Sequence, residues 1–384
     1  MIAFALRRAA LTLLTLFIVV AIAFGYLATT GRPAHAADQA NPQKYVTGWL
    51  PYWNTQQATA SVVNGARVFQ DASPFVFDAD STTRITLKAD RDEWRQMRTS
   101  LRSAGLPIIA TVATDLSADQ FAWILRDPQR RAAHARALAD VVDRFNLDGL
   151  DLDYESINFG SSSARTTVRN KYPTLLRDLD DRLNRMGAVT SVTVAARTAG
   201  SDPNWRVFDY PALGRQADRV RIMTYDFHWS GGPAGPIAPR HWVKDVAAYA
   251  SRAIAPRKIS LGMPAYGRDW FVRTVSGTCP SSARSTVSRT TRQMNAFARK
   301  IGETPRWREQ ATSQRFTYVR TYSSGGLTCR AKRVVWFDDA RSLKAKTPLV
   351  DSYGLRGIAI WAVGGEGAGT WPTLTEYGRT LAKL

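Results

Sequence analysis

The sequence predicts an α/β protein, a TIM (β/α)8 barrel with a small α+β insertion between its seventh and eighth strands. Three observations predict it. Eight short apolar runs of strand length recur along the chain. Amphipathic stretches with apolar residues three and four apart separate most of them. The one long interval, about 90 residues before the last run, carries helix and strand patterns of its own. Eight β-α repeats favour a closed barrel over an open doubly wound sheet.

The strand candidates, in order, are Tyr45–Leu50, Pro74–Phe77, Pro107–Ala113, Gly149–Asp153, Ala188–Ala196, Val220–Thr224, Ile259–Met263 and Gly357–Trp361. Arg130–Phe145 and Thr167–Met186 show the clearest helical periodicity. No G-x-G-x-x-G follows an early strand, so dinucleotide binding has no support. A structureless loop spanning the long interval would be improbable. There Thr291–Ile301 reads as a helix, and Arg315–Thr321 and Arg333–Phe337 read as strands. Phe271–Phe337 is therefore expected to be an insertion, with a helix over Asp338–Val350 leading into the last strand. Its two cysteines, Cys279 and Cys329, are expected to form a disulfide if the chain is exported.

The N-terminus predicts export. Arg7 and Arg8 precede an apolar run from Ala9 to about Leu27, and Ala34-His35-Ala36 follows. This pattern reads as a signal peptide over 1–36, with a linker at 37–43 and the barrel over 44–384. The apolar run is long for a signal, so an uncleaved membrane anchor is the alternative; both place the rest of the chain outside the cytoplasm, secreted or associated with the wall. The net charge of +20 predicts attraction to anionic polymers, including those of a cell wall. The basic residues are scattered rather than gathered into an arm interleaved with aromatics, which argues against nucleic acid. Four histidines at unrelated spacings match no metal motif, so neither metal nor cofactor is expected. The chain is expected to act as a monomer.

The chemistry is concentrated in Asp148-Gly-Leu-Asp151-Leu-Asp153-Tyr-Glu155. On a strand, side chains alternate faces, so Asp151, Asp153 and Glu155 should share one face and Leu150, Leu152 and Tyr154 the other. Three carboxyls would then line the barrel toward its C-terminal mouth. Close carboxylates repel, and at least one should hold a proton near neutral pH. An arrangement that opposes folding in this way reads as a site.

This segment resembles the D-G-x-D-x-D-x-E signature of glycoside hydrolase family 18, the chitinase family. The resemblance extends to Gly48-Trp-Leu-Pro-Tyr52-Trp53, to Met223-Thr-Tyr225-Asp226, to Tyr266-Gly-Arg268 and to Trp361 at the end of Ile358-Ala-Ile-Trp. It implies Glu155 as the general acid and Asp153 as the group that aims the substrate's own N-acetyl group. It implies Asp151 as the partner sharing a proton with Asp153, Tyr225 as donor to the acetamide carbonyl and Asp226 as a sugar contact. It also implies Trp361 as a floor under the scissile sugar, with Tyr52, Trp53, Tyr266 and Arg268 nearby. Such substrate-assisted hydrolysis departs from the usual two-carboxylate scheme. Trp53, Trp229 and Trp270 lie just past predicted strand ends, where sugar platforms are expected; core or loop packing is the competing reading. Asp148 is expected to bond backbone at the strand start.

The implied substrate is a β-1,4-linked N-acetylglucosamine polymer, chitin or peptidoglycan glycan. The Gly/Pro-rich stretch Trp229–Pro239 and the first strand look closer to bacterial cell-wall and spore-cortex lytic enzymes than to insect or fungal chitinases. Many wall enzymes lack the Asp151 equivalent present here. A catalytically silent sugar-binding lectin is the alternative from another class, and a wall-anchored scaffold a third.

Overall fold

The computed structural model describes residues 44–200 and 203–379; the expected signal and linker lie outside these. The described residues contain β1 (Tyr45–Pro51), β2 (Ser73–Ala79), β3 (Ile85–Leu87), β4 (Ile109–Ala113), β5 (Gly149–Asp153), β6 (Val189–Ala195) and β7 (Arg219–Met223). They continue with β8 (Ile259–Pro264), β9 (Tyr266–Gly277), β10 (Val287–Thr290), β11 (Arg306–Arg308), β12 (Ser313–Ser324), β13 (Leu327–Phe337) and β14 (Gly357–Trp361). The order β1-β14-β8-β7-β6-β5-β4-β2 closes through β1–β2 pairing, all parallel. This is the TIM barrel. Short β3 adds to β2 as an antiparallel hairpin that the sequence pattern was too brief to announce.

The barrel's two surfaces differ chemically because the strands alternate. Val46, Leu50, Leu150, Leu152, Val192, Val194, Val220, Ile222, Leu261 and Ile358 face the helices in one apolar core. Burying each such side chain contributes about 1.5–3 kcal/mol. The opposite positions carry Trp49, Ser73, Thr111, Asp151, Ser191, Thr193 and Arg221, all buried. Branched apolar residues usually fill a barrel; here a hydrogen-bonded polar network fills it. Arg221 pairs with Asp151 at 3.2 Å, and Arg219 with Asp71 at 2.5 Å. Ions buried without such partners would cost several kcal/mol each.

Helices surround the barrel. Pro128–Phe145 begins with Asp127 accepting from the Gln129 and Arg130 amides and ends at Asn146 in the left-handed region. Ser162–Arg185 starts earlier than its apolar period suggests, because Ser161 caps the polar first turn. The stretch after β13 makes two helices, Ala340–Lys346 and Pro348–Ser352, rather than one. Proline offers no amide to continue the first and is suited to open the second.

Between β8 and β14 lies a five-stranded antiparallel sheet of order β10-β9-β13-β12-β11. It starts at Tyr266 because β9 follows β8 after Ala265 alone. Helix Thr291–Lys300 buries Met294 and Ala298 against Phe316, Tyr318, Val335 and Phe337. Cys279 and Cys329 form a disulfide with an S–S distance of 1.98 Å. Gly277, at φ 75°, turns the chain from β9 toward that bridge.

Candidate active site

β5 positions the carboxyls. Asp151 pairs in register with Thr111 of β4 and Ser191 of β6. Its Oδ1 accepts from Ser191 at 2.6 Å; its Oδ2 accepts from Thr193 at 2.9 Å and from Trp49, Thr111 and Arg221 at 3.2–3.3 Å. Five donors hold this fully buried group in place. Asp153, one step nearer the mouth and 6% exposed, has an Oδ1 with no hydrogen-bond partner in the protein. Burial, reinforced by the charges of Glu155 and Asp151, raises its pKa well above the carboxylate range. That shift favours a proton on Asp153. Asp148 at the strand's foot accepts from the Ile108 amide at 2.8 Å.

Glu155 does not continue the strand. β5 ends at Asp153, and Glu155 takes helical dihedrals (φ −79°, ψ −39°) at the start of the turn Ser156–Asn158. Tyr154 before it is fully buried among the helices, on the face that alternation assigns it. Its ring stacks on Tyr172, and its hydroxyl meets His134 Nε2 at 2.9 Å. Glu155 consequently opens to solvent at the mouth while protein encloses it on the remaining sides. That enclosure first, and the charge of Asp226 second, raise its pKa to about 6. The bend at Glu155 brings in Asp226 as a like-charge neighbour, while Glu155 and Asp153 still repel each other.

The segment after β7 supplies the facing wall. The Tyr225 phenol is pushed upward by burial and then by the charges of Asp153 and Glu155, so it stays a hydrogen-bond donor. Its ring fits because Gly262 lacks a side chain: a Cβ there would sit 2.8 Å from Tyr225 Cε1. Asp226 has φ 58°, a conformation aspartate tolerates better than most residues. The bend turns its carboxylate to Arg268, whose Nη2 donates to both oxygens at 2.7 Å, and to the Tyr266 hydroxyl. Tyr225, Asp226, Tyr266 and Arg268 thus come together as one wall.

The aromatic expectations divide. Trp361 meets Trp49, Trp53 and Phe75 edge-on, with centroids 5.3–6.1 Å apart. Tyr52 packs against Trp53 at 4.8 Å. Trp53 is 60% exposed and Trp229 is 56% exposed, so both keep ring surface for a ligand. Trp270 does not. It is 3% exposed, packed with Ile237 and Val334, and its indole N–H reaches the Trp229 carbonyl at 3.4 Å. β9 begins before Trp270, so that residue lies within a sheet rather than past a strand end. Sequence reasoning missed Trp49, Phe75, Asp71 and Arg221. The alternation Arg219-Val-Arg221-Ile-Met223 was the available signal: two cations spaced to share a barrel-facing side. Among the described residues no group of three or more His, Cys, Asp or Glu is placed to hold a metal ion.

The family model described as glycosyl hydrolases family 18 matches residues 27–366. The chain belongs to this family. It is a family 18 glycoside hydrolase. The cortical fragment-lytic enzyme of Bacillus anthracis is 28% identical over 323 residues, covering 82% of this chain and 70% of that protein. A chitinase from Chromobacterium violaceum shares the fold with a TM-score of 0.73 at 22% identity, covering 87% of this chain and 98% of that one. The spore cortex-lytic enzyme SleL of Bacillus cereus shares it with a TM-score of 0.72 at 24% identity, covering 87% and 74%. The family 18 fold thus carries both the carboxyl row and the tyrosine wall of this chain.

Proposed function

We propose that this family 18 enzyme acts outside the cytoplasm. There it hydrolyses β-1,4-linked N-acetylglucosamine polymers, retaining anomeric configuration and using the substrate's acetamide as nucleophile. The observation that carries this is the pairing of a proton-bearing Asp153, whose Oδ1 has no protein partner, with Glu155 at the open mouth. Relatives named as cortical fragment-lytic enzymes and chitinases support the substrate class.

Each role follows from position. Glu155, with a pKa raised to about 6, keeps a proton to give the leaving glycosidic oxygen. Asp153 accepts from the acetamide N–H through its spare oxygen and, as its own proton passes toward Asp151, its carboxylate stabilises the cation that forms. Asp151, fixed by five donors including Arg221, shares the proton that Asp153 gives up as it turns. Tyr225 donates to the acetamide carbonyl and presses it toward the anomeric carbon. That carbonyl oxygen bonds to carbon as the aglycone leaves; water then gives a proton to Glu155 and attacks the same carbon from the other side, breaking the bond to the carbonyl oxygen. Two displacements at one centre retain configuration. Trp361 forms the apolar floor, and Trp53 and Trp229 extend it.

The test is turnover of soluble N-acetylglucosamine oligomers and purified peptidoglycan by the native protein and Glu155→Gln. The amide preserves shape but has no proton to transfer. Sugar binding should persist while turnover falls by about 10²–10⁴. Near-native hydrolysis by the variant would remove Glu155 from its role. Binding without turnover in the native protein would make it a lectin.

A further inference from the structure

The charge of this protein is unevenly placed. Residues 271–337 hold thirteen Arg and Lys against two acids, Glu303 and Glu309, a surplus of eleven within a whole-chain net charge of +20. The sheet these residues form sorts its cations by face. Arg333 is buried inward and, with Arg289, pairs with Asp269. Along β13, Trp336, Val334, Lys332 and Arg330 share the other face, since they alternate by two. Lys332 lies opposite Arg273 of β9, and Arg330 opposite Ser276. Arg273 and Arg330 are exposed and Lys332 is half-buried. Among the described residues, no carboxylate lies within ion-pair distance of any of the three.

This face is continuous with the catalytic wall. Trp336 is opposite Arg268, which grips Asp226. Val334 and Trp270 form one apolar cluster with Ile237, against which Tyr225, Tyr266 and Trp336 pack. From Trp336 to Arg330 is six residues, about 20 Å at roughly 3.3 Å per residue. A chain lying in the cleft can therefore extend past Trp229 onto three cations with no counter-charge of their own. Exposed Val319, opposite Lys332 on β12, gives this strip apolar surface between its charges.

We propose that the outer face of this sheet is a docking track for a carboxylate-bearing glycan strand. It engages, through Arg273, Arg330 and Lys332, the same polymer that the cleft cuts. The proposal rests on the glycosidase reading for the identity of that polymer. It sets the substrate class as an acidic glycan of the peptidoglycan type, whose appended lactyl and peptide carboxylates lie along the strand. A neutral polymer such as chitin would gain nothing from the strip.

The experiment uses the whole protein carrying Arg273→Gln, Arg330→Gln and Lys332→Gln together. Co-sedimentation is measured with peptidoglycan freed of phosphate polymers, with the same material after its carboxylates are amidated, and with a phosphate-bearing wall polymer. Turnover of a soluble neutral chito-oligosaccharide reports fold and catalysis. The triple variant should bind native peptidoglycan about tenfold more weakly, as the loss of a few exposed ion pairs implies. It should bind the amidated material as the native protein does, and its oligosaccharide turnover should be unchanged. Its binding should also depend less on salt. Equal losses on native and amidated peptidoglycan, no loss on the native material, or a loss confined to the phosphate polymer would each overturn the track. If the native protein cleaves neither oligosaccharide nor peptidoglycan, the proposed function fails, yet co-sedimentation still decides the track by itself.

Discussion

At the residue scale, the site separates charge by environment. Asp151 is surrounded by donors, Asp153 is buried beside two like charges, and Glu155 is enclosed next to Asp226. A raised pKa means the acid is present at low pH and lost as pH rises, so kcat/KM should fall as pH climbs through about 6. Asp226→Asn removes the like charge that helps raise Glu155, and should move that limb to lower pH. A limb unmoved by this change would mean another group sets it. Asp153→Asn and Tyr225→Phe should lower kcat more than they raise KM, because both act on the acetamide as it attacks. The tryptophans give a second contrast. Trp270→Ala empties a packed site and should cost about 3–5 kcal/mol in denaturant unfolding. Trp53→Ala, at an exposed ring, should leave stability nearly unchanged and weaken sugar binding. The reverse pattern would mean that the buried and exposed rings have been assigned the wrong way round.

At the element scale, local pattern was a good guide where one periodicity ran unbroken. Each barrel strand is a short apolar run bounded by polar residues, so its place was legible. The carboxyl row was legible for the same reason: Asp151 and Asp153 stand out on β5 because the strand is otherwise apolar. Glu155 was misplaced by one element. The strand ends at Asp153 and Tyr154 points among the helices to His134 and Tyr172, both as the pattern suggests; alternation cannot reveal that Glu155 just beyond turns into helical dihedrals. Trp270 was misread because nothing local distinguishes a residue past a strand end from one inside a strand that restarts after Ala265. Arg221 was overlooked because its value lies in partners 70 residues away on β5 and 148 away on β2. The disulfide belongs to this scale. It closes a 50-residue separation, which the chain-entropy model values at about 4 kcal/mol. Thiol titration of the unfolded, unreduced protein should find no reactive thiol, and two per chain would contradict the bridge.

At the scale of the molecule, the barrel is a rigid frame whose interior is polar by design of its alternation, and whose added sheet extends one wall of the cleft. Rigidity matters because the chemistry proposed for it is aiming: an acetamide must be held against an anomeric carbon while Glu155 protonates the other side of the bond. A buried column fixes the base of that arrangement: Asp71 forms an ion pair with Arg221 at 3.6 Å, and Arg221 in turn donates to Asp151 at 3.2 Å. The family and fold were legible in sequence through the acidic motif and the eightfold repeat. The polar column was not, since it is assembled from β1, β2, β5, β6 and β7 only on closure. The central claim is that the substrate's own N-acetyl group performs the first displacement. The direct measurement is to incubate the enzyme with matched N-acetylated and deacetylated oligomers and follow the nascent anomer by NMR. Cleavage should occur only where the sugar on the non-reducing side of the broken bond is acetylated, with the β configuration retained. Efficient cutting after a free glucosamine, or an inverted product, would contradict it.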